Sequence, residues 1–291
     1  MPWQPSDIRD QHGRTFVVTG ANGGLGEITT RELAAKGATV VMACRNVAKA
    51  QRIAKGIDGD VRVAELDLGN LESVRGFASR QTTFDVLINN AGIMNVPLHR
   101  TVDGFESQFG INHLGHFALT GLLLDKIGDR VVTVSSVAHK QTPKLWIDDL
   151  NYQHRFYQRN LAYAQSKLAN LMFARELQRR LTAAGSPKRS YGVHPGVSGT
   201  DLFDHDKTLP GLVAKYGIRL VGQTPEHAAQ SMLFAATTPD ADPATYWGPN
   251  RLGQSRGPVD ACPSSRLSQN QRLWQRLWEE SEKMTGVSYD L

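Results

Sequence analysis

The sequence predicts an α/β protein with a doubly wound Rossmann fold, in which helices cover both faces of a mostly parallel central sheet of about seven strands. Short runs of apolar, β-branched residues alternate with helix-like segments along most of the chain. A glycine-rich turn joins the first strand to the first helix. The 291 residues contain no internal repeat and no low-complexity linker, which favours a single domain over residues 1–291.

Composition narrows the classes of protein that the chain resembles. The two cysteines do not suggest a disulfide framework, and the net charge of +5 comes from scattered lysines and arginines, so we expect no nucleic-acid partner. The start of the chain is not a signal peptide, and no apolar stretch is long enough for a transmembrane segment. No His/Cys/Asp cluster has the spacing of metal ligands. We therefore expect a cytoplasmic protein that acts on a small-molecule substrate without a metal.

The first strand, at residues 16–19, runs into a glycine-rich turn, and a helix follows at residues 28–36. Glycines let the backbone approach a pyrophosphate, and the helix N-terminus offers N–H groups and the positive end of a dipole. The spacing is GxxxGxG, and the alternative is an ordinary surface turn. In this strand–turn–helix context we assign the following residues to a dinucleotide: Gly20, Asn22, Gly23, Gly24, Leu25 and Gly26.

The second strand, at residues 38–43, ends beside a base rather than an acid. An acidic residue at this position holds the ribose 2′-hydroxyl of NAD, whereas an arginine accommodates the 2′-phosphate of NADP. Arg45 stands there with Asn46, and Lys49 adds charge from a helix at residues 47–55. The position favours NADP(H) over NAD(H), the alternative being a solvated loop arginine.

The third and fourth strands, at residues 61–65 and 84–88, also end in cofactor candidates. A carboxylate at the end of the third strand is placed to accept from an adenine amino group, or else to cap the helix that begins near Leu71. Small residues after the fourth strand allow a ring or ribose close to the sheet. The residues assigned at these two ends are Asp67, Leu68, Asn90, Ala91 and Gly92.

An apolar pattern predicts a long helix at residues 104–127 and a fifth strand at residues 130–136. Asn112 lies inside the helix, flanked by His113 and His116, which we interpret as ordinary core or surface residues.

The fifth strand ends in two hydroxyls, Ser135 and Ser136, either of which can donate to a substrate oxygen. Residues 139–160 are polar and aromatic and resemble a surface excursion. Tyr163 and Lys167 come next, four residues apart, and therefore share one face of a helix. A lysine ammonium beside a phenol favours the phenolate, so we expect a lowered tyrosine pKa and acid–base catalysis. The alternative is a half-buried tyrosine beside a solvated lysine.

The last third of the chain begins with strand six at residues 190–193, followed by a loop that leaves the sheet. We place a substrate lid at about residues 201–222, a helix starting at Thr224 and Pro225, and a final strand at residues 245–248. The tail, at about residues 250–291, is interpreted as a C-terminal helical extension, whose Trp274, Leu277 and Trp278 pack against the body. The two long apolar helices suggest a homodimer or homotetramer.

Taken together, these residues resemble the short-chain dehydrogenase/reductase family in its single-domain form. Residues 19–26 resemble its TGxxxGxG turn, and residues 89–92 resemble its NNAG element. Four residues follow the order of its catalytic tetrad: Asn112, Ser136, Tyr163 and Lys167. The loop after strand six resembles the loop that holds the nicotinamide carboxamide, here Pro195, Gly196, Val197 and Thr200. A finer resemblance is to the retinol dehydrogenase and WW-domain oxidoreductase-like branch, which rests on residues 43–46, 134–139, 148–151, 166–170 and 277–281.

The resemblance implies hydride transfer between NADP(H) and a carbonyl or alcohol carbon, in a lipophilic aldehyde, ketone or alcohol. It makes Tyr163 the acid or base, Lys167 a ligand of the nicotinamide ribose and Ser136 a donor to the substrate oxygen. Asn112 would hold a water that links Lys167 to solvent. The alternatives are a reductase of a conjugated C=C bond and a catalytically silent NADP-binding regulator.

Overall fold

The structure, a computed structural model, describes residues 2–197 and 222–291. Within these residues one sheet contains eight strands. The strands are β1 (Thr15–Thr19), β2 (Thr39–Cys44), β3 (Val61–Glu65), β4 (Phe84–Asn89), β5 (Ile127–Val134), β6 (Arg189–Val193), β7 (Tyr246–Arg251) and β8 (Arg256–Ala261). Their order across the sheet is β3-β2-β1-β4-β5-β6-β7-β8. This arrangement confirms the predicted doubly wound fold, with one more strand than the sequence suggested.

The order of the strands reverses beside β1, which pairs in parallel with both β2 and β4. The chain moves outward from β1 through β2 to β3, and then returns to β4 on the other side of β1. Ligands of doubly wound sheets bind outside the carboxyl ends of the strands at such a point. Gly20 and Asn90 directly follow β1 and β4, so the glycine turn and the Asn90 turn meet there.

Helices cover both faces of the sheet, as predicted. The helices are α1 (Gly24–Ala35), α2 (Val47–Ala54), α3 (Leu71–Arg80), α4 (Ser107–Phe109), α5 (Gly115–Leu123), α6 (Arg159–Ala183), α7 (Pro225–Thr237) and α8 (Gln271–Thr285). Residues of α1, α2 and α7 share one core cluster with the sheet, and residues of α3, α5 and α6 share another. The side chains of β1 alternate accordingly, with Phe16 and Val18 in the first cluster and Val17 in the second.

The tail departs from the helical extension predicted at residues 250–291. β8 lies within it and pairs antiparallel with β7, so the extension is helical only from Leu267 onwards. The turn between β7 and β8 has positive φ at Leu252 and Gln254 as well as at Gly253. Tight hairpin turns usually carry Asn-Gly or Asp-Gly, and this one gives no such signal. The helical part behaves as predicted, since Leu277 and Trp278 of α8 are buried.

The long helix predicted at residues 104–127 is shorter and irregular. It begins at Ser107, widens into a π turn at Gly110–Leu114 and continues as α5 to Leu123. Ile127 instead begins β5 and pairs with Phe84 of β4. Apolar spacing alone extends the helical pattern through Ile127, but a strand partner distant in sequence decides its conformation. β5 ends at Val134, two residues before the predicted end, and the two serines follow it.

Residues 139–160 are only partly a surface excursion. Leu145, Ile147 and Leu150 are buried and form a core cluster with Leu168 and Met172 of α6. These apolar residues are irregularly spaced within a polar segment, so periodicity does not reveal them. The segment therefore contributes one side to the core and the other to the surface.

Candidate active site

A cleft of about 710 Å³ opens at the carboxyl edge of the sheet. Eighteen of the predicted site residues line it: Gly20, Asn22, Gly23, Gly24, Leu25, Arg45, Asn46, Asp67, Leu68, Asn90, Ala91, Gly92, Ser136, Tyr163, Lys167, Pro195, Gly196 and Val197. Gly26 and Asn112 stand behind the lining, where they contact Gly20 and Ile93 respectively. Thr200 and residues 201–221 of the predicted lid lie outside the described residues.

In the glycine turn, the backbone of Gly20 lies close to the backbones of Ala91 and Gly26. Gly20 has a φ of 65°, and a Cβ there would lie 2.9 Å from the Cα of Ala91. A Cβ on Gly26 would lie 2.5 Å from the carbonyl oxygen of Gly20. No side chain caps the N-terminus of α1, which begins beside Gly23 on the cleft. The N–H groups of this helix start therefore fit a pyrophosphate.

A basic side chain, Arg45, lines the cleft just after the end of β2. Arg45 is exposed and makes no ion pair with any residue of the two described segments. The side-chain oxygen of Asn46 accepts from the N–H of Lys49 at 2.9 Å and caps α2. The side chain of Asn46 thus shapes the loop, while the guanidinium of Arg45 remains available to an anion.

Asp67, after β3, is not a helix cap. Its Oδ1 accepts from the N–H of Gly69 at 2.9 Å, and α3 is capped by Asn70. The alternative interpretation of Asp67 is thereby wrong. Its carboxylate lies on the cleft wall, where an acceptor suits an amino group.

The turn after β4 is held by a threonine that the sequence analysis did not assign to the site. The Thr19 hydroxyl accepts from the N–H of Asn90 at 2.9 Å and from that of Ala91 at 3.0 Å. The side chain of Asn90 donates to the carbonyl of Thr19 at 2.8 Å. These bonds join the ends of β1 and β4 at the cleft. The available signal was a hydroxyl at the last position of a buried strand.

Only one of the two candidate serines is free for a substrate. Ser135 donates its hydroxyl to the carbonyl of Lys167 at 2.7 Å. The hydroxyl oxygen of Ser136 accepts from the N–H of Ala138 at 3.2 Å, which leaves the proton of Ser136 to be donated elsewhere. Burial raises the pKa of Tyr163 to about 12, and the Ser136 hydroxyl offsets part of this effect. Ser136 and Tyr163 therefore form the polar end of the cleft.

Lys167 is buried beside them. Its Nζ donates to the carbonyl of Val134 at 3.0 Å and lies 5.8 Å from the centroid of the Tyr163 ring. Burial lowers the pKa of Lys167 to about 8. The predicted lowering of the tyrosine pKa is thus wrong for this structure, because loss of water disfavours the phenolate and the Ser136 hydroxyl offsets only part of that effect.

The side chain of Asn112 bonds to the loop at Ile93 and to Ser166. It lies in the π turn and is fully buried. Its Oδ1 accepts from the N–H of Ile93 at 2.8 Å, and its Nδ2 donates at 2.9 Å to the carbonyl of Ile93 and to the hydroxyl of Ser166. The amide therefore holds the loop at Ile93, and the water at Asn112 stays a prediction. A π turn is itself frequent at functional sites, but no feature of residues 110–114 announces it.

Across residues 2–197 and 222–291, no group of three His, Cys, Asp or Glu side chains is arranged to bind a metal ion. No helix among the same residues is long and apolar enough to cross a membrane.

Comparisons with known proteins agree on one family. The family model described as short chain dehydrogenase matches residues 14–148. Retinol dehydrogenase 13 of Homo sapiens is 38% identical over 292 residues, covering 94% of this chain and 85% of that protein. Retinol dehydrogenase 11 of Homo sapiens is also 38% identical, with 96% and 87% covered. Among solved structures, an uncharacterized protein from Mycobacterium paratuberculosis is 45% identical, with a TM-score of 0.88 and 100% of both chains covered.

Proposed function

Because the chain belongs to the short-chain dehydrogenase/reductase family, in its retinol dehydrogenase-like branch, we propose that it is an NADP(H)-dependent reductase of lipophilic aldehydes or ketones. The supporting observation is that one cleft brings the glycine turn and Arg45 together with Ser136, Tyr163 and Lys167. Family membership carries the class of reaction, an oxidoreduction with a nicotinamide cofactor. The choice of NADP(H), the substrate and the residue roles are the proposal.

The chemistry follows from the polar end of the cleft. A nicotinamide cofactor held by the glycine turn and Arg45 would supply a hydride for the carbonyl carbon. Ser136 donates a hydrogen bond to the substrate oxygen and stabilises the negative charge that develops there. Tyr163 transfers its proton to the same oxygen, so one hydride and one proton convert the carbonyl into an alcohol. Lys167 carries a positive charge near neutral pH and stabilises the phenolate left behind.

The raised pKa of Tyr163 favours the protonated phenol at neutral pH, which is the form that carbonyl reduction needs. With a pKa of about 12, Tyr163 is protonated there and is ready to donate. Alcohol oxidation needs the phenolate, which is scarce until the pH approaches that value. Lys167 loses its charge as the pH rises through about 8. We therefore expect carbonyl reduction to slow above about pH 8 and alcohol oxidation to become faster with pH.

The cofactor preference rests on Arg45. Its guanidinium is exposed on the cleft wall at the end of β2, with Lys49 one turn along α2. Two cations there suit the 2′-phosphate of NADP, and no acid is adjacent in sequence to receive the 2′-hydroxyl of NAD. The lipophilic substrate is proposed from the relatives, whose names identify them as retinol dehydrogenases. Apolar side chains of Met94, Val137 and Ala138 on the cleft support it.

Calorimetric titration with NADPH and with NADH tests the cofactor site. We expect tighter binding of NADPH, and loss of that preference in Arg45→Ala. Arg52→Ala is the matched control, because Arg52 is an exposed cation of α2 that does not line the cleft. Equal binding of the two cofactors by the wild type, or an equal effect of both substitutions, would contradict the role of Arg45. Binding of neither cofactor would overturn the proposed function.

A carbonyl panel with NADPH tests the reaction. Straight-chain aldehydes of increasing length and retinal should be reduced to alcohols, with kcat/KM rising with apolar length. Product analysis distinguishes the alcohol from a product saturated at a C=C bond. If the saturated product is found, the reaction is reduction of a conjugated C=C bond and not carbonyl reduction.

A further inference from the structure

His116, which the sequence analysis treated as ordinary, has partners at both ring nitrogens. It lies in α5 and is fully buried. Its Nδ1 is 2.9 Å from the carbonyl oxygen of Asn112, and its Nε2 is 2.9 Å from the hydroxyl oxygen of Thr19. A carbonyl only accepts, so Nδ1 carries the ring proton and Nε2 accepts the proton of Thr19, whose other acceptor, the carbonyl of Ile88, is more distant at 3.3 Å. Burial lowers the pKa of His116 to about 4, so the imidazole remains neutral at physiological pH.

Each partner of His116 holds one end of the same short turn, Asn90-Ala91-Gly92-Ile93. At the first end, the Thr19 hydroxyl accepts from the N–H groups of Asn90 and Ala91. At the other end, the Asn112 amide bonds both the N–H and the carbonyl of Ile93. All four residues of the turn line the cleft. The imidazole of His116 is therefore connected to both ends of this turn, through Thr19 at one end and through Asn112 at the other.

The turn has little room to shift. A Cβ added at Gly92 would lie 3.2 Å from Oδ1 of Asn112 and 3.5 Å from Nζ of Lys167. A displacement of this turn would consequently be felt at the ammonium that stabilises the Tyr163 phenolate. Misplacement of about 1 Å is enough to slow an enzyme by about 100-fold.

We propose that His116 is a positioning residue, whose neutral Nδ1–H imidazole holds the turn at residues 90–93 against both the cofactor and Lys167. The inference rests on the proposed function, since it assigns His116 to the same site. His116 does not line the cleft and acts through Thr19 and Asn112.

His113 provides a matched control on the same helical segment. It is also fully buried, and its Nε2 bonds the hydroxyl of Ser281 in α8, away from the cleft. Its ring packs near Phe109 and Phe117, so a phenyl group fits there. His116→Phe and His113→Phe each remove one buried imidazole and keep a ring of similar size. Both variants should lose stability, but only His116→Phe should disturb the turn.

The first readout is hydrogen exchange in the protein without cofactor. In His116→Phe we expect faster exchange at the amides of Asn90, Ala91 and Ile93, relative to the sheet core. His113→Phe should leave the rank of these three amides unchanged. Nitrogen-15 spectra of the wild type should show the Nδ1–H tautomer for His116. Equal exchange in the two variants, or an Nε2–H tautomer, would overturn the inference.

The second readout is the division between binding and turnover. His116→Phe should weaken NADPH binding about tenfold, as expected when buried donors and acceptors lose partners, and lower kcat about 100-fold. His113→Phe should change neither. His116→Asn keeps a donor within reach of the Asn112 carbonyl but does not reach Thr19, so it should regain kcat more than cofactor affinity. If His116→Phe does not fold, the test uses His116→Asn and Thr19→Val. Thr19→Val should weaken cofactor affinity more than it lowers kcat.

The two proposals can fail separately. A wild type that binds no nicotinamide cofactor removes the proposed function, while the exchange of the turn amides still reports whether His116 positions the turn. A wild type that reduces carbonyls, together with a His116→Phe variant that matches His113→Phe in exchange, affinity and kcat, removes only the inference.

Discussion

Burial controls both ionisable side chains at the centre of the site. Tyr163 is 8% exposed and Lys167 is 4% exposed. Loss of water makes the phenolate and the ammonium costly, so the pKa of Tyr163 rises and that of Lys167 falls. The two shifts move the pKa values of the pair apart, from 10.0 and 10.5 to about 12 and about 8, and each favours the uncharged side chain. A four-residue spacing predicts that the two side chains are neighbours, but it does not predict how much water surrounds them.

Replacing Tyr163 by phenylalanine should remove the proton donor and little else. We expect turnover to fall by at least about 100-fold, the usual contribution of an acid–base group. NADPH affinity should stay near that of the wild type, because the ring remains in place. Stopped-flow reduction and calorimetric titration measure the two quantities. Turnover close to the wild-type value would exclude Tyr163 as the acid.

Replacing Lys167 by methionine should stabilise the protein while abolishing turnover. The lowered pKa of Lys167 corresponds to about 3 kcal/mol of unfavourable burial, and the lost bond to Val134 offsets about 1 kcal/mol. The carbonyl of Val134 keeps a donor from Asn170 at 3.1 Å. We therefore expect the free energy of unfolding at pH 7 to rise by about 2 kcal/mol, as urea denaturation would measure.

The same substitution has a pH signature. Between about pH 8, where folded Lys167 loses its proton, and 10.5, its ordinary pKa, the unfolded chain binds more protons at this position than the folded one. Wild-type stability therefore rises with pH in this window, and the advantage of Lys167→Met should shrink. An advantage at pH 9.5 as large as at pH 7 would contradict a desolvated ammonium as its source.

Two elements set the shape of the cleft, the glycine turn before α1 and the π turn before α5. The first is readable in the sequence, since only glycine tolerates the contacts at Gly20 and Gly26. The second is not, because a widened turn differs from a regular helix in its hydrogen bonds and not in its apolar spacing. The start of α7 is also readable in the sequence, since Thr224 caps the helix and Pro225 lies in its first turn, as predicted.

A methyl group at Gly26 should separate α1 from the strand end. Its Cβ would lie 2.5 Å from the carbonyl of Gly20 and 2.7 Å from Nδ2 of Asn90, so the turn must move. We expect Gly26→Ala to lower the free energy of unfolding by about 1–3 kcal/mol and to weaken NADPH binding. Thermal unfolding and calorimetry measure these effects.

Gly76→Ala is the control for that substitution. Gly76 lies inside α3, and its Cβ would meet no atom closer than 3.4 Å. Alanine there should raise stability by about 0.5–1 kcal/mol through helix propensity alone and should not affect NADPH binding. Similar losses in both variants would show that the contact with Gly20 is not the cause.

At the scale of the whole molecule, the C-terminal helix covers part of the apolar helix surface from which a homo-oligomer was predicted. α8 packs on α5 and α6. Trp278 stacks on Phe173 with 5.9 Å between ring centroids, and it contacts Phe117 at 5.1 Å and Tyr289 at 4.4 Å. This part of the apolar face of α6 is therefore satisfied within the chain. The homodimer or homotetramer stays a prediction, as do the cytoplasmic location and the single domain.

Trp278 should be the main anchor of the C-terminal helix. Trp278→Ala should lower the free energy of unfolding by about 3–5 kcal/mol, because it opens a cavity among aromatic rings. Trp278→Phe should cost less than about 1.5 kcal/mol, since it keeps an aromatic ring and removes a buried Nε1–H that has no acceptor in the described residues. Denaturant unfolding separates the two variants. Equal losses would show that α8 is not anchored through this ring.

The sequence by itself determined the features that are encoded locally. These include the alternation of strands and helices along the chain, the glycine turn, the arginine after β2 and the shared helix face of Tyr163 and Lys167. Each depends on residues within a few positions of one another, where side-chain size, φ preference and apolar period act directly.

Only the tertiary structure decided the remaining features, which depend on contacts between distant residues. They are the pairing of β8 with β7, the start of β5 at Ile127 and the directions of the two central pKa shifts. The bond between Thr19 and His116 joins side chains 97 positions apart and gives a seemingly ordinary histidine its place behind the cleft. Burial and hydrogen-bond partners of this kind arise only when the elements pack, so no local pattern carries them.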